Sequence, residues 1–215
     1  MKLGVRGIIF DLDGTIVDSK EAYWEAAGST FSAFGFSTFD PQIVTEIPKR
    51  FELNLPFDDL ISGVDVTKFR EIYLSAYYKA TAMRTRPFTD VGATLDKLSK
   101  KAKLGLTTRR HVYKGEILKQ LEGFDLAKYF GAVVTASETI KPKPSPEALI
   151  KCSRELRVET CECAAVGDSV MDIRAGRDAG MVTVAVLSGI FSHEELEREN
   201  PDLILKNVRE LPNFL

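Results

Sequence analysis

The chain holds 215 residues with a formal net charge of −2; 44% are hydrophobic and 28% charged. That length suits one large domain, or a core with a smaller insert, and buries a sizeable core without disulfide or metal staples. Acids and bases are interspersed, so neither a basic block for nucleic acid nor an acidic interaction tail is present.

No apolar run approaches the roughly 18 residues of a membrane span. The start, Met1-Lys2-Leu3-Gly4-Val5-Arg6, runs into a short apolar stretch and then aspartates, so no signal peptide is expected. Cys152, Cys161 and Cys163 are odd in number and fit no disulfide framework or zinc spacing. The expected setting is cytoplasmic.

The first apolar run, residues 7–10, is too short for a helix and is closed by aspartates, so it predicts a buried strand. After it, residues 18–86 show helical spacing instead. Tyr23, Ala26, Ala27, Thr30, Phe31 and Phe34 share one period, as do Val66, Phe69, Tyr73, Ala76, Tyr77 and Ala80. Residues 36–63 between them are broken by Pro41, Pro48 and Pro56. This segment predicts a helical insert. Beyond Pro87, strands predicted at 104–106, 132–134, 164–166 and 182–187 alternate with helices predicted at 91–98, 147–156 and 170–179. Ser145-Pro146 suits a helix start and Gly180 a helix stop. Alternating strands and helices imply parallel pairing and an α/β layered fold.

The polar residues after the strands carry the chemistry. Asp11 and Asp13 follow the first, Thr107 and Thr108 the second, Lys141 the third, and Asp168 and Asp172 the fourth. An open parallel sheet collects ligands at the carboxyl ends of its strands. Four carboxylates gathered there resist ionising together unless a cation offsets them. Hard oxygen ligands beside a phosphate suit Mg²⁺. In such a site one carboxylate attacks phosphorus, Lys141 and the metal neutralise charge, Thr107 holds an oxygen, and Asp13 serves as acid and then base.

Each residue has a plainer reading. Asp-x-Asp-Gly is often a turn. Asp18 and Glu21 fit a helix N-cap pair, and Ser169-x-x-Asp172 a capping box. Lys141 fits a solvated loop, and Arg109, Arg110 and His111 fit a solvated helix start, with contact to an anion as the alternative. His193 fits an exposed turn. Lys49 and Arg50 read either as a solvated pair or as recognition of a substrate anion.

The residues also resemble a known family. Phe10-Asp11-Leu12-Asp13-Gly14-Thr15-Ile16-Val17-Asp18-Ser19, Leu104-Gly105-Leu106-Thr107, Lys141-Pro142-Lys143-Pro144 and Gly167-Asp168-Ser169-Val170-Met171-Asp172 occur in the order of the haloacid dehalogenase superfamily, in its phosphoglycolate-phosphatase-like branch. The resemblance extends to Pro201-Asp202-Leu203-Ile204. It implies a Rossmann-like core over residues 1–17 and 87–215, with a helical cap over 18–86. It makes Asp11 the nucleophile and Asp13 the general acid and base, with Thr107 and Lys141 on the phosphate. Mg²⁺ would sit on Asp11, the Asp13 carbonyl and Asp168. Asp172 would support that shell through water or by orienting Lys141. Thr108 and Arg109 stand as candidate substrate contacts, although Thr108 replaces the usual Asn and offers fewer donors. The implied activity is that of a phosphatase for a small phosphorylated metabolite, acting as a monomer or homodimer. A sugar phosphomutase and a non-catalytic phosphate-binding scaffold are the alternatives.

Overall fold

The computed structural model describes residues 2–61 and 63–215. Strand β1 (Gly7–Asp11) is followed by the short β2 (Val17–Asp18). Helices α1 (Lys20–Ala33), α2 (Ile43–Leu53) and α3 (Val66–Arg84) come next, then β3 (Arg86–Pro87). From there helices and strands alternate: α4 (Val91–Ser99), β4 (Lys103–Thr108), α5 (Lys114–Gly123), β5 (Phe130–Thr135), α6 (Glu147–Leu156), β6 (Cys163–Gly167), α7 (Val170–Asp178), β7 (Val182–Val186), α8 (His193–Glu197) and β8 (Leu203–Leu205).

The main sheet has the order β5-β4-β1-β6-β7-β8, and every neighbouring pair is parallel. The fold is the expected α/β type with a helical insert after the first strand. The order reverses at β1, which lies between β4 and β6. A parallel sheet that reverses in this way opens a crevice at the carboxyl ends of its central strands.

Strand periodicity splits the core into two layers. Ile8, Phe10, Leu104, Leu106, Ala164 and Val166 join Val91, Leu95 and Leu98 of α4 and Ile117 and Leu121 of α5 in one cluster. The alternate residues Ile9, Cys163 and Ala165 join Leu149, Cys152 and Leu156 of α6 and Ala175 of α7 in another. A one-residue slip of β1 would exchange the two sets and is resisted by both layers. Cys152 and Cys163 are buried core thiols whose burial raises their pKa to about 12 and about 11, which makes them poor nucleophiles. No described helix is long and apolar enough to cross a membrane.

Several elements depart from the sequence expectation, among them the short β2 and β3 and the helix α8 that starts at His193. β8 is a sixth strand in the sheet, and α5 fills a stretch with no helix predicted. α2 runs through Pro48, which was expected to break it. An interior proline costs about 3 kcal/mol or more. Burying Val44, Ile47 and Pro48 itself on one face offsets that cost. Asp18 and Glu21 do not form the expected cap, because Asp18 lies in β2 and Ser19 is the N-cap of α1.

Two compact units divide the described residues, 2–18 with 87–215 in one and 19–61 with 63–86 in the other. In the second, α1 packs on α3 and aromatic rings supply much of the core. Tyr23 stacks on Tyr77 at 5.4 Å, Phe51 on Tyr73 at 5.3 Å, and Phe31 meets Phe69 edge-on at 5.6 Å. Arg50 closes the turn after α2. It donates from Nε to Glu46 (2.8 Å), from Nη2 to Asp59 (2.8 Å) and from Nη1 to the Pro56 carbonyl (2.6 Å). Its fork is thus engaged by near neighbours in the chain, the structural alternative to recognising a substrate anion.

Candidate active site

Register brings the strand-end residues together. Asp11, the last residue of β1, lies opposite Thr107 of β4, and Thr108 lies opposite Thr135 of β5. On the other side Phe10 pairs with Val166, which sets the turn after β6 beside the turn after β1. That second turn contains Asp168 and leads into α7. Carboxylate oxygens of Asp11, Asp168 and Asp172 all lie within 4.8 Å of one another.

The lysine of this cluster is Lys143, not Lys141. Lys143 Nζ donates to Asp11 Oδ1 at 2.7 Å and to Asp172 Oδ1 at 2.6 Å, and the residue is only 4% exposed. Lys141 is exposed, and its backbone N–H is taken up by Glu147. Glu147 in the first turn of α6 accepts from the N–H groups of both Ile140 and Lys141, at 2.9 and 3.0 Å. Pinning the loop there turns the first lysine of Lys-Pro-Lys-Pro outward. The second reaches the carboxylates.

Asp172 holds two roles at once. Its Oδ2 accepts from Ser169 N–H (3.2 Å), while Ser169 Oγ accepts from the Met171 and Asp172 amides, closing the expected capping box. Its Oδ1 holds Lys143. Asp168 sits in a tight cradle. Thr15 Oγ1 donates to Asp168 Oδ1 at 3.1 Å. A Cβ on Gly14, which has φ of +76°, or on Gly189 would collide with the Asp168 carboxylate. Ser188 Oγ donates to the Gly14 carbonyl at 2.6 Å and ties these two glycine turns together.

Asp13 faces a different partner. Arg110 Nε donates to Asp13 Oδ2 at 2.8 Å and Nη2 to Oδ1 at 2.5 Å, a bidentate fork. Arg110 is buried, so the expected solvated helix start is wrong for this residue. His111 is exposed as expected of that reading, and Arg109 is half-buried. Thr108 is buried and its Oγ1 accepts from the Arg110 amide at 3.1 Å, a short turn that sends the Arg110 side chain back toward β1. His193 is exposed, at the start of α8.

The electrostatics are unbalanced in a useful way. Burial pushes the Asp11 carboxyl well above the ordinary carboxylate range, and the charges of Asp172 and Asp13 push it further, against the pull of Lys143. Burial also disfavours the Lys143 ammonium, but Asp11 and Asp172 outweigh it and hold the lysine charged. Asp11 and Asp172 thus share one ammonium, with the Asp168 carboxylate beside them. Their all-oxygen donor set and surplus negative charge fit a hard divalent cation, which would favour the ionised form of Asp11. Thr107 Oγ1 is fully buried beside Asp11 and, among the described residues, has no hydrogen-bond partner. Leaving a buried hydroxyl unmet costs about 1–3 kcal/mol. A ligand oxygen at the strand ends would meet it.

The family model described as haloacid dehalogenase-like hydrolase matches residues 8–186. The chain belongs to that family. This hydrolase is 30% identical over 217 residues to the phosphoglycolate phosphatase of Aquifex aeolicus, covering 98% of this chain and 97% of the relative. It is 26% identical over 223 residues to the N-acetylmuramic acid 6-phosphate phosphatase of Pseudomonas aeruginosa, covering 100% and 96%. A haloacid dehalogenase-like family hydrolase of Streptococcus pneumoniae shares the fold, with a TM-score of 0.80, 20% identity and 98% of each chain covered. The strand-end residues Asp11, Thr107, Asp168 and Asp172, expected from the sequence, come together in this candidate site. Sequence reasoning gave no role to Lys143 or to the Thr15 contact with Asp168, and weighed Arg110 only as a solvated residue or an anion contact. The repeated Lys-Pro pair was the visible signal for Lys143. A basic residue two positions past Thr108 was the weaker one for Arg110.

Proposed function

We propose that the protein is a Mg²⁺-dependent phosphatase for a small phosphorylated metabolite, working through an aspartyl-phosphate on Asp11. One observation carries the reading: Lys143 holds Asp11 beside a buried Thr107 hydroxyl that has no partner among the described residues. Asp11, Asp168 and the Asp13 backbone carbonyl would hold the metal, with Asp172 behind them. When bound, the metal supplies positive charge against the phosphoryl oxygens and the attacking carboxylate.

The chain's own residues divide the remaining work. An Asp11 oxygen forms a bond to phosphorus as the bond to the leaving oxygen breaks, and Asp13 gives its proton to that oxygen. Lys143 and Thr107 hold non-bridging oxygens whose charge must be met in a site of low polarity. In the second half, water attacks phosphorus, Asp13 takes its proton, and the bond from Asp11 to phosphorus breaks to release phosphate. The phosphatase names of the two curated relatives support phosphoglycolate and N-acetylmuramic acid 6-phosphate as first substrates to assay.

The test is steady phosphate release from a panel of phosphomonoesters with Mg²⁺, with and without EDTA. Expected are sustained turnover, silencing by EDTA, and recovery with added Mg²⁺. Turnover that needs a bisphosphate primer would instead identify a mutase. No phosphate from any member would leave a binding scaffold.

A further inference from the structure

We propose that Arg110 is a positioning residue for proton transfer by Asp13, acting as a fork that fixes the plane of the Asp13 carboxyl group, so that its protonated form can give the proton to the leaving oxygen and its ionised form can then take one from water. The proposal rests on the phosphatase reading above and adds a residue to it.

Arg110 is bound on several sides. Its Nε and Nη2 grip both Asp13 oxygens, and its Nη1 donates to Gln120 Oε1 of α5 at 2.7 Å. Its amide donates to Thr108 Oγ1 at 3.1 Å, and its carbonyl accepts from the Ala136 amide, just past β5, at 3.3 Å. The guanidinium is therefore anchored to α5 and the Arg110 backbone to the ends of β4 and β5, while the fork meets Asp13. Fork geometry fixes the carboxylate plane as well as its distance, which a lysine ammonium would not do. A carboxylate offers about four lone-pair sites and the fork takes two of them.

Asp11 at the end of β1 and Asp13 just past it thus receive different cations. Asp11, which attacks, is held by Lys143, a compact charge suited to neutralising a phosphoryl group. Asp13, which moves a proton, is held by a planar fork suited to fixing direction. Proton transfer depends steeply on that direction, because the donor must lie within hydrogen-bond reach of the leaving oxygen.

The test compares kcat/KM for two substrates, which reports only the steps up to departure of the leaving group. An alkyl phosphate needs its leaving oxygen protonated. p-Nitrophenyl phosphate does not, since nitrophenolate departs unaided. Arg110→Met should lower kcat/KM on the alkyl phosphate by about 100-fold and on the aryl phosphate by no more than about threefold. Arg110→Lys should show the same contrast, because charge without a fork does not fix the plane. Asp13→Asn should reproduce the contrast, and adding Arg110→Met to it should change little further. Gln120→Met, which leaves the Asp13 pair in place, should show a weaker version of the same selectivity and guards against misfolding of the Arg110 variants. Equal losses on both substrates across these variants, or no loss on either, would overturn the positioning role while leaving the phosphatase reading intact. A wild-type protein that hydrolyses neither these substrates nor any phosphomonoester of the panel would remove both.

Discussion

Two ionic clusters in this protein look alike on paper and differ in what they leave undone. In the helical unit, Arg50 joins Glu46, Asp59 and the Pro56 carbonyl across separations of 4, 9 and 6 residues. At the strand ends, Lys143 joins Asp11 and Asp172 across separations of 132 and 29 residues. The first closes a local turn. The second gathers buried carboxylates in excess of its cation, beside a hydroxyl with no partner among the described residues. Short-range pairs that satisfy themselves read as structure. Long-range pairs whose charge is incomplete without a ligand read as a site.

The hardest test of that contrast is Asp11→Asn. Phosphate release should fall by at least about 10⁴-fold, with an unchanged circular-dichroism spectrum; substantial residual turnover would remove Asp11 as nucleophile. Next comes the lysine pair. Lys143→Met should cost about 10³-fold in kcat, whereas Lys141→Met should stay within about twofold of wild type; the reverse order would restore Lys141 to the site.

Thr107→Val sharpens the comparison by separating activity from stability. Loss of the hydroxyl should lower kcat by about 10- to 100-fold. Without ligand, melting temperature should hold or rise, because an unmet buried hydroxyl gives way to a methyl group of the same shape. A fall in both would mark the hydroxyl as a structural contact. Arg50→Met has the smallest expected effect and the opposite pattern, a modest drop in melting temperature with kcat within about twofold of wild type. A large kcat loss without destabilisation would make Arg50 a substrate contact and dissolve the contrast.

Legibility followed the range of the forces involved. Short apolar runs marked the five longer strands, because a strand buried on both faces must be apolar throughout. The three-residue β8 left too little pattern to read, and α5 buries only Ile117 and Leu121, a thin apolar stripe. The proline in α2 misled because a local cost was outweighed by burial that only packing supplies. At the site, the aspartates were readable because they directly follow a strand. Lys143 was not, since Lys141 and Lys143 are both followed by proline, and only the fold exposes the first and buries the second.

The sequence by itself determined the alternation of strands and helices, the helical insert, and the four strand ends where polar groups collect, because period and turn chemistry are local properties. Tertiary structure decided which lysine reaches Asp11, that Asp172 both caps α7 and orients that lysine, and that Arg110 turns back onto Asp13. Those choices depend on two hydrogen bonds to Glu147, one to Thr108, and the register of β1 against β4. A side chain two residues further along a loop can point either way, and only the folded surroundings settle its direction.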